Sequence, residues 1–303
     1  MIIVHGSTSE SLAKAVSKEG NFKLSSVITR TFPDGEQYVR ISDNLEGEDV
    51  VLIQSLWPNT DRLIIEYCLI VDALKGMGCN SISVVIPYLP YMRQDKRFKL
   101  GEPISAKAIS SLIESVGINR LVTIDPHLHR FRELSEIFSI ECINLSAVPI
   151  MVEYYMKNFK NDVILIGPDR ESEQFVKVAS RLLNVPYFIF EKERLGDREV
   201  ILRGEATIKN KVALIVDDIV STGTTLANIV QFLLDNGASR VDALISHALL
   251  IGDALERLKK AGLSNLITTD TVPNPIMTVS VAPLISSIIK SNFAKISGEE
   301  WRR

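Results

Sequence analysis

The sequence has few cysteines, and they form no recognisable metal or disulfide pattern. Cys68, Cys79 and Cys142 are the only three in 303 residues, they lie far apart, and no CxxC pair occurs. An odd number of isolated cysteines argues against a disulfide framework and against a zinc site. The cysteine usage therefore indicates a reducing compartment, and we expect a cytoplasmic protein.

Signals for secretion or membrane insertion are also lacking. The segment that begins at Met1 has no basic lead, and the longest apolar stretch, Leu63–Leu74, is interrupted by Glu66 and Asp72. A formal net charge of -3 gives no general attraction to nucleic acid or to an anionic membrane. We therefore expect neither of these partners, and any anion site must be built locally.

Two common nucleotide-binding motifs are absent. Neither GxxxxGK[ST] nor GxGxxG occurs, so a nucleotide bound by this chain is held by neither a P-loop nor a Rossmann turn. The chain is rich in hydrophobic residues, which make up 46% of the sequence. This is sufficient for a buried core, and the length indicates about two domains.

Short β-branched runs alternate with longer segments of helical periodicity. The strand candidates are Ile2–His5, Val50–Gln54, Ile82–Ile86, Leu121–Ile124, Val163–Ile166, Tyr187–Phe190, Val212–Val216 and Val241–Ser246. The helix candidates are Thr60–Lys75, Ser105–Val116, Ala147–Asn158, Glu173–Leu183, Thr224–Asn236 and Asp253–Ala261. Nearly all-apolar strands separated by helices predict an α/β fold with mainly parallel sheets covered on both faces.

An internal similarity supports two domains of the same kind. The matched positions, each 120 residues apart, are Ser105 and Thr225, Gly117 and Gly237, Arg120 and Arg240, and His127 and His247. Few positions match, so a generic helix–glycine–strand pattern is the alternative. We predict two similar α/β domains, residues 1–146 and residues 147–303.

Two adjacent carboxylates follow an apolar strand in IVDDIVSTGTT, residues 215–225. We expect Asp217 and Asp218 to leave the sheet at its carboxyl edge, where open α/β sheets bind ligands. Sugar hydroxyls or magnesium-bound water would relieve their repulsion. The hydroxyl-rich turn 221–225 precedes a helix and suits a phosphate. A simple helix N-cap beside solvated aspartates is the alternative, which the combination with the apolar run disfavours.

Three further segments are candidates for ligand binding. TFPDGE, residues 31–36, is typical of a turn but also offers an aromatic face and two carboxylates. YLPYMRQDKR, residues 88–97, places three cations directly after a predicted strand, which favours a nucleotide-phosphate site over a solvated loop. In IDPHLH, residues 124–129, two histidines and an aspartate suit a metal-assisted phosphate site, whereas zinc lacks further ligands.

In this order and over nearly the whole chain, FPDGE, YMRQDKR, the DPH segment and VDDIVSTGTT resemble the ribose-phosphate diphosphokinases, or phosphoribosyl-pyrophosphate synthetases. The last segment alone is similar to the phosphoribosyl-pyrophosphate loop of type I phosphoribosyltransferases. The resemblance implies a type I phosphoribosyltransferase-like fold and a Mg²⁺-dependent reaction of ATP with ribose 5-phosphate, which gives AMP and 5-phospho-ribose 1-diphosphate. It also implies a homo-oligomer built from dimers.

The resemblance further implies roles for individual residues. Contacts to ATP are implied for Phe32, Asp34, Gly35, Glu36, Arg93, Gln94 and Asp95, with Phe32, Asp34 and Glu36 reached from a neighbouring subunit. Contacts to ribose 5-phosphate are implied for Arg194, Asp217, Asp218, Ser221, Thr222, Gly223, Thr224 and Thr225. His127 and Asp169 are implied as metal ligands. Lys192 and Arg194 are implied as the catalytic pair that neutralises the transferring diphosphoryl group.

The sequence departs from the family pattern in two places. Many members have glycines shortly after the Pro-Asp pair, whereas here Asp169 is followed by Arg170, Glu171 and Ser172. Arg170 is therefore a candidate side-chain donor to phosphate. The second departure is Thr224, which stands where a small residue is common.

Two other functions compete with the synthetase. A salvage phosphoribosyltransferase would share the second-domain loop but would need neither FPDGE nor YMRQDKR. A catalytically silent regulatory subunit of the same family would have an altered catalytic loop, and the presence of Lys192, Arg194 and His127 counts against it.

Overall fold

The first domain is built on a six-stranded sheet whose strands are all parallel. The computed structural model describes residues 1–159, 162–192, 200–203 and 208–293, without the side chains of 191–192 and 200–203. The strands are β1 (Ile2–His5), β2 (Lys23–Ser25), β3 (Val27–Thr31), β4 (Gln37–Ile41), β5 (Asp49–Ile53), β6 (Ser81–Ile86), β7 (Arg120–Ile124) and β8 (Glu141–Leu145). The sheet order is β2-β1-β5-β6-β7-β8, and β3 and β4 form a separate antiparallel hairpin.

Helices cover both faces of this sheet. They are α1 (Glu10–Gly20), α2 (Thr60–Gly76) and α3 (Ser105–Ser115). One core cluster contains α1 and the other contains α2 and α3, and each cluster includes alternate residues of the strands. Every residue of β1 is buried, as expected for a strand that is covered on both sides.

The second domain repeats this plan with one antiparallel edge strand. Its strands are β9 (Val163–Gly167), β10 (Tyr187–Lys192), β11 (Val200–Arg203), β12 (Val212–Val220), β13 (Arg240–Ala248) and β14 (Asn265–Thr268), in the order β11-β10-β9-β12-β13-β14. Its helices are α4 (Val148–Asn158), α5 (Glu173–Leu183), α6 (Thr224–Asp235), α7 (Ala254–Lys260) and α8 (Ala282–Lys290). Only the β10–β11 pair is antiparallel among the described strand pairs of this sheet.

The two sheets confirm the predicted similarity of the domains. The unit β6–α3–β7 occupies the fourth and fifth strand positions of the first sheet, and β12–α6–β13 occupies the same positions in the second. These are the segments that carry the matched residues in the sequence. The boundary at residue 146 stays a prediction, and α8 from the end of the chain packs against α1 of the first domain, where Lys290 Nζ donates to the Glu19 carbonyl at 2.9 Å.

The eight predicted strands and six predicted helices are all present, and most of their ends are within two residues of the prediction. The exception is β12, which continues through Asp217 and Asp218 to Val220. It pairs with β13 as far as Ala248 but with β9 only as far as Ile166. The expectation that the aspartates leave the sheet was therefore wrong on the β13 side and right on the β9 side, where the cleft opens.

The three cysteines carry free, partly buried thiols. Burial raises the pKa of Cys142 to about 12, so this thiol stays protonated and poorly nucleophilic near neutral pH. Among the described residues, no helix is both long enough and apolar enough to cross a bilayer.

Candidate functional site

A cleft of about 250 Å³ lies where the carboxyl edge of the second sheet faces the first domain. We call it the acidic cleft. Its lining residues are Arg93 and His127 from the first domain and Pro168, Asp169, Glu171 and residues 217–226 from the second. Strands β6, β7, β9 and β12 all end here, and this edge is where doubly wound sheets bind ligands. The structure thus brings together Arg93, His127, Asp169 and the 217–225 segment, to which the family resemblance assigns ligand or metal contacts.

The turn 221–225 has the geometry of a phosphate cradle. Gly223 has φ +73° and caps α6, so its peptide takes a conformation that other residues rarely adopt. A Cβ at this position would lie 3.3 Å from the Ala254 carbonyl oxygen and 3.3 Å from Leu258 Cγ of α7. The N–H groups of the first turn of α6 have no acceptor within the helix. Residues 221–226 line the cleft, and the N-terminus of a helix favours an anion.

Arg257 of α7 hydrogen-bonds to this turn, and no motif in the sequence points to this residue. Its guanidinium donates to the Thr222 carbonyl and, at 3.4 Å, to Thr224 Oγ1. A second nitrogen donates to Asp253 Oδ1 at 2.7 Å, which fixes the orientation of the group. The turn is therefore held in place by a cation before any ligand arrives.

Asp217 and Asp218 crowd negative charge into the cleft. Asp218 is 4% exposed, and its backbone N–H donates to Asp217 Oδ1 at 3.0 Å. Burial raises the pKa of Asp217 well above its ordinary value, and the charges of Asp218 and Asp169 raise it further. Such a pair is stabilised by hydrogen-bond donors or a cation.

His127 reaches Asp218 across the domain boundary. Its Nδ1 lies 2.8 Å from Asp218 Oδ2, so Nδ1 donates when the carboxylate is ionised. Burial lowers the pKa of His127, but the hydrogen bond and the charge of Asp218 outweigh this effect and the net shift is upward. A carboxylate on one ring nitrogen is the usual arrangement when the other nitrogen holds a metal.

Asp169 lies at the mouth of the cleft in a tight turn. The Ser172 N–H donates to Asp169 Oδ1 at 3.0 Å, and Ser172 Oγ donates to the Asp169 carbonyl at 2.7 Å. Burial and the neighbouring Glu171 raise the pKa of the Asp169 carboxyl to about 6. Arg170 does not line the acidic cleft but an adjacent one, together with His129 and Lys177. The hypothesis that Arg170 replaces the glycine-rich phosphate contact is therefore not favoured by its position.

The donor set fits a hard cation that is shared with a substrate. Among the described residues, no group of three or more His, Cys, Asp or Glu side chains forms a ready-made metal site. Mg²⁺ does not need one, because it keeps several waters and is bound through one or two carboxylates plus substrate phosphates. His127 and Asp169 both line the cleft beside the paired aspartates, so the chemistry of the residues suits Mg²⁺ bound together with a phosphate.

The predicted adenine-binding residues lie elsewhere. Phe32, Asp34, Gly35 and Glu36 form the exposed turn between β3 and β4 and do not line the acidic cleft. The Phe32 N–H donates to the Glu36 carbonyl at 2.7 Å, which closes the turn. The Arg30 guanidinium lies 5.0 Å from the Phe32 ring centroid. The turn is thus preformed at the surface of its own chain.

Gln94 and Asp95 also point away from the cleft. Gln94 Oε1 accepts from Ser105 Oγ at 2.7 Å at the start of α3. Asp95 is 5% exposed and its Oδ1 accepts from Arg130 at 2.7 Å. In this arrangement both side chains are used within the first domain, and Arg93 is the residue of this segment that lines the cleft.

The structure describes little of the two residues that the family resemblance implies as the catalytic pair. Lys192 is the last residue of β10 and its side chain is not described, whereas Arg194 lies outside the described residues. The backbone of β10 pairs with β9 up to Gly167, so Lys192 lies beyond the carboxyl edge of β9. That is the edge on which the acidic cleft opens.

Two family models match the chain. The model described as the N-terminal domain of ribose phosphate pyrophosphokinase matches residues 1–117. The model described as the phosphoribosyl transferase domain matches residues 136–272. Together they span both sheets of the structure.

Individual proteins are similar to this chain over almost its whole length. A ribose-phosphate pyrophosphokinase of Methanothermobacter thermautotrophicus is 35% identical, over 95% of this chain and 100% of its own. The protein of the same name from Sulfolobus acidocaldarius is 34% identical, over 96% of this chain and 99% of its own. The crystal structure of phosphoribosylpyrophosphate synthetase from Mycobacterium smegmatis has a TM-score of 0.87 and 28% identity, and it covers 96% of this chain and 98% of its own.

Proposed function

The chain belongs to the ribose-phosphate pyrophosphokinase family, and we propose that the acidic cleft is where it carries out the reaction of that family. The enzyme transfers the β,γ-diphosphoryl group of ATP to the anomeric hydroxyl of ribose 5-phosphate, which yields AMP and 5-phospho-ribose 1-diphosphate. One observation carries the assignment of the cleft. Arg93 and His127 of one domain face Asp217, Asp218 and the 221–225 turn of the other.

Ribose 5-phosphate occupies the second-domain side of the cleft. The backbone N–H groups and hydroxyls of the turn Ser221–Thr225 donate hydrogen bonds to the oxygens of its 5-phosphate. Asp217 and Asp218 accept hydrogen bonds from the ribose hydroxyls, which relieves the repulsion between the carboxylates. The sugar is then oriented with its anomeric hydroxyl toward the first domain.

ATP occupies the first-domain side, with its phosphates near Arg93 and its Mg²⁺ held by His127 and Asp169. When bound, the metal neutralises charge on the phosphates. Diphosphoryl transfer needs positioning and charge stabilisation more than covalent help from the protein. Arg93 and the pair Lys192 and Arg194 supply that stabilisation from side chains.

The adenine site is completed by a second subunit. Phe32, Asp34 and Glu36 lie on an exposed, preformed turn outside the cleft of their own chain, so a neighbouring copy can receive them. The functional protein is accordingly a homo-oligomer built from dimers, and it acts in the cytoplasm. Size measurement by light scattering tests the assembly, and a monomer with full activity would contradict it.

The reaction is tested directly by phosphorus NMR. The protein is incubated with ATP, Mg²⁺ and ribose 5-phosphate, and the expected products are AMP and a sugar diphosphate in equal amounts. Release of inorganic phosphate without the sugar diphosphate would overturn the proposal. A purine base offered with phosphoribosyl pyrophosphate in a parallel sample tests the salvage alternative, for which a nucleotide product is required.

Arg257→Met is expected to raise KM for ribose 5-phosphate by about tenfold, because the charge-assisted hydrogen bonds from Arg257 that hold the turn are lost. KM for ATP should change less than about twofold, since the turn does not contact ATP. Initial rates with each substrate varied in turn measure the two constants.

Lys260→Met is the matched control, because Lys260 is an exposed cation on the same helix. It should leave both KM values unchanged. An equal rise of both constants in Arg257→Met would contradict a role limited to the phosphate turn.

A further inference from the structure

A buried polar network crosses between the domains directly behind His127. Asp125 is 2% exposed, and its Oδ2 accepts from Ser246 Oγ at 2.6 Å and from the Ala147 N–H at 2.9 Å. The Asp125 carbonyl accepts from His247 Nε2 at 3.2 Å. We call Asp125, Ser246 and His247 the interdomain clamp.

The clamp is anchored on its far side as well. His247 Nδ1 lies 2.9 Å from Thr271 Oγ1, and the Thr271 carbonyl accepts from Ser55 Oγ of the first domain at 2.9 Å. The Tyr88 ring packs on His247 with 5.1 Å between centroids. All of the hydrogen-bonding groups of the clamp are out of contact with solvent, so each bond is worth more than it would be at the surface.

The backbone of Asp125 is held in an unfavourable conformation. Its φ is +38°, which costs free energy in a residue other than glycine and persists only where the surroundings enforce it. The Asp125 N–H donates to the Leu145 carbonyl at 2.9 Å, so both ends of the residue are fixed. This sharp turn decides the direction in which Pro126 and His127 leave β7.

The clamp also ties His127 to the strand that carries its partner. Ser246 and His247 are on β13, which pairs with β12 in the register Asp217 to Ile245 and Ile219 to His247. Asp218 therefore lies beside the two second-domain members of the clamp. A hydrogen bond between β13 and Asp125 fixes the distance between His127 and Asp218 more directly than general packing of the domains does.

We propose that Asp125, Ser246 and His247 are positioning residues that set His127 opposite Asp218 and so hold the two halves of the active site in register. The inference rests on the proposed function, because it gives His127 a role in the reaction. Clamp residues act through His127 and touch neither substrate.

A double-mutant cycle with His127→Ala tests this. Ser246→Ala removes one clamp bond and is expected to lower kcat by about tenfold, with KM for ribose 5-phosphate unchanged because the 221–225 turn is intact. In the His127→Ala background the same substitution should lower kcat by less than about twofold. Full additivity of the two effects would overturn the proposal.

A conservative variant and a structural control complete the design. Asp125→Asn keeps the accepting oxygen and tolerates the left-handed backbone, so it should retain most of the activity that Asp125→Ala loses. Asp242→Asn is the control, because Asp242 is also fully buried and accepts from Tyr155 at 2.7 Å but lies outside the clamp. It should lower the melting temperature without any coupling to His127.

A measurement on the ligand-free protein separates the clamp from the proposed reaction. The imidazole ¹⁵N spectrum at one fixed pH should contain a His127 Nδ1 signal typical of a hydrogen-bonded N–H, and that signal should move in Ser246→Ala but not in Asp242→Asn. An unmoved signal would overturn the clamp even if the enzyme is active. If the His127 signal moves in Ser246→Ala but the wild-type protein forms no product, the proposed reaction is overturned and the clamp is retained.

Discussion

Asp217→Asn is expected to lower kcat/KM for ribose 5-phosphate by about a hundredfold and, at the same time, to raise the melting temperature of the ligand-free protein. The loss of activity is expected because Asp217 is proposed to accept hydrogen bonds from the ribose hydroxyls. One or two hydrogen bonds to a charged acceptor are weakened, and each is worth about 1.5–3 kcal/mol. Steady-state kinetics with ribose 5-phosphate as the varied substrate measures this effect.

The gain in stability follows from the repulsion in the acidic cleft. Burial, Asp218 and Asp169 raise the pKa of Asp217, so its ionised form is disfavoured in the folded protein. A neutral amide of the same shape removes that repulsion. Active sites often hold such unfavourable charge, and neutral substitutions there commonly stabilise the fold at the expense of activity.

The sign of the pH dependence follows from the same shift. A carboxyl with a raised pKa binds more protons in the folded state than in the unfolded state, so the free energy of unfolding falls as pH rises above about 4. Asp169, whose pKa is raised to about 6, acts in the same direction. The wild-type protein without ligands should therefore lose stability between about pH 4 and pH 6, and Asp217→Asn should lose less.

Asp43→Asn is the matched control, since Asp43 is exposed and does not line the cleft. Neither its kinetics nor the slope of its melting temperature against pH should change. A lower melting temperature in Asp217→Asn, or an unchanged slope, would contradict the repulsion argument even if the loss of activity is found.

The sequence predicted that several motifs lie at the carboxyl ends of strands, because the geometry of parallel sheets is simple. The motif residues Arg93, His127 and Asp169 come after β6, β7 and β9, and Asp217 and Asp218 lie in the last part of β12. All of them line one cleft. What the sequence does not specify is how the two edges face each other. The contact between His127 and Asp218 joins residues 91 positions apart in different domains, and no local pattern in the sequence encodes it.

The interdomain clamp was missed for a related reason, although two of its members were noted in the sequence, Asp125 as the aspartate of the IDPHLH segment and His247 in the internal similarity. His247 was noted as the counterpart of His127 in the internal similarity. That similarity predicts equivalent places in two domains, and it carries no information about contacts between them. The hydrogen bond from His247 to the Asp125 carbonyl depends on the packing of one domain against the other.

Several elements escaped the periodicity argument because their apolar signal is weak or their partner is distant. Helix α1 buries only Leu12, Ala13 and Val16. The β3–β4 hairpin is largely exposed, so its strands lack an apolar run. Helix α8 is strongly apolar on one face, but that face packs on α1 from the other end of the chain. These segments are stabilised by tertiary packing, which the periodicity of a short stretch of sequence cannot reveal.

Lys192→Ala is expected to lower kcat by about 10²–10³-fold, the range found when one donor to a developing charge is removed. The affinity for ATP, measured by calorimetry in the absence of ribose 5-phosphate, should change by less than about threefold. This combination is expected when a group contacts the transferring diphosphoryl group only in the transition state.

The backbone supports this expectation, although the side chain of Lys192 is not described. Strand β10 is two strands away from β12 and extends beyond β9 at the edge where the acidic cleft opens. Its last residue pairs with Val200 of β11, so the two described residues on either side of 193–199 both lie at this edge. Lys192 and Arg194 are two positions apart, a spacing that places side chains on the same side of an extended chain.

Lys14→Ala is a suitable control, because Lys14 is an exposed lysine on α1 whose partner is Glu10, and it should leave kcat unchanged. If Lys192 and Arg194 grip one anion together, Arg194→Ala should cost about as much as Lys192→Ala, and the double variant should cost much less than the product of the two. A parallel loss of ATP affinity would instead make Lys192 a binding residue. Equal, measurable activity of wild type and Lys192→Ala would contradict the catalytic role of Lys192, whereas a wild type without activity would place the chain with the catalytically silent members of the family.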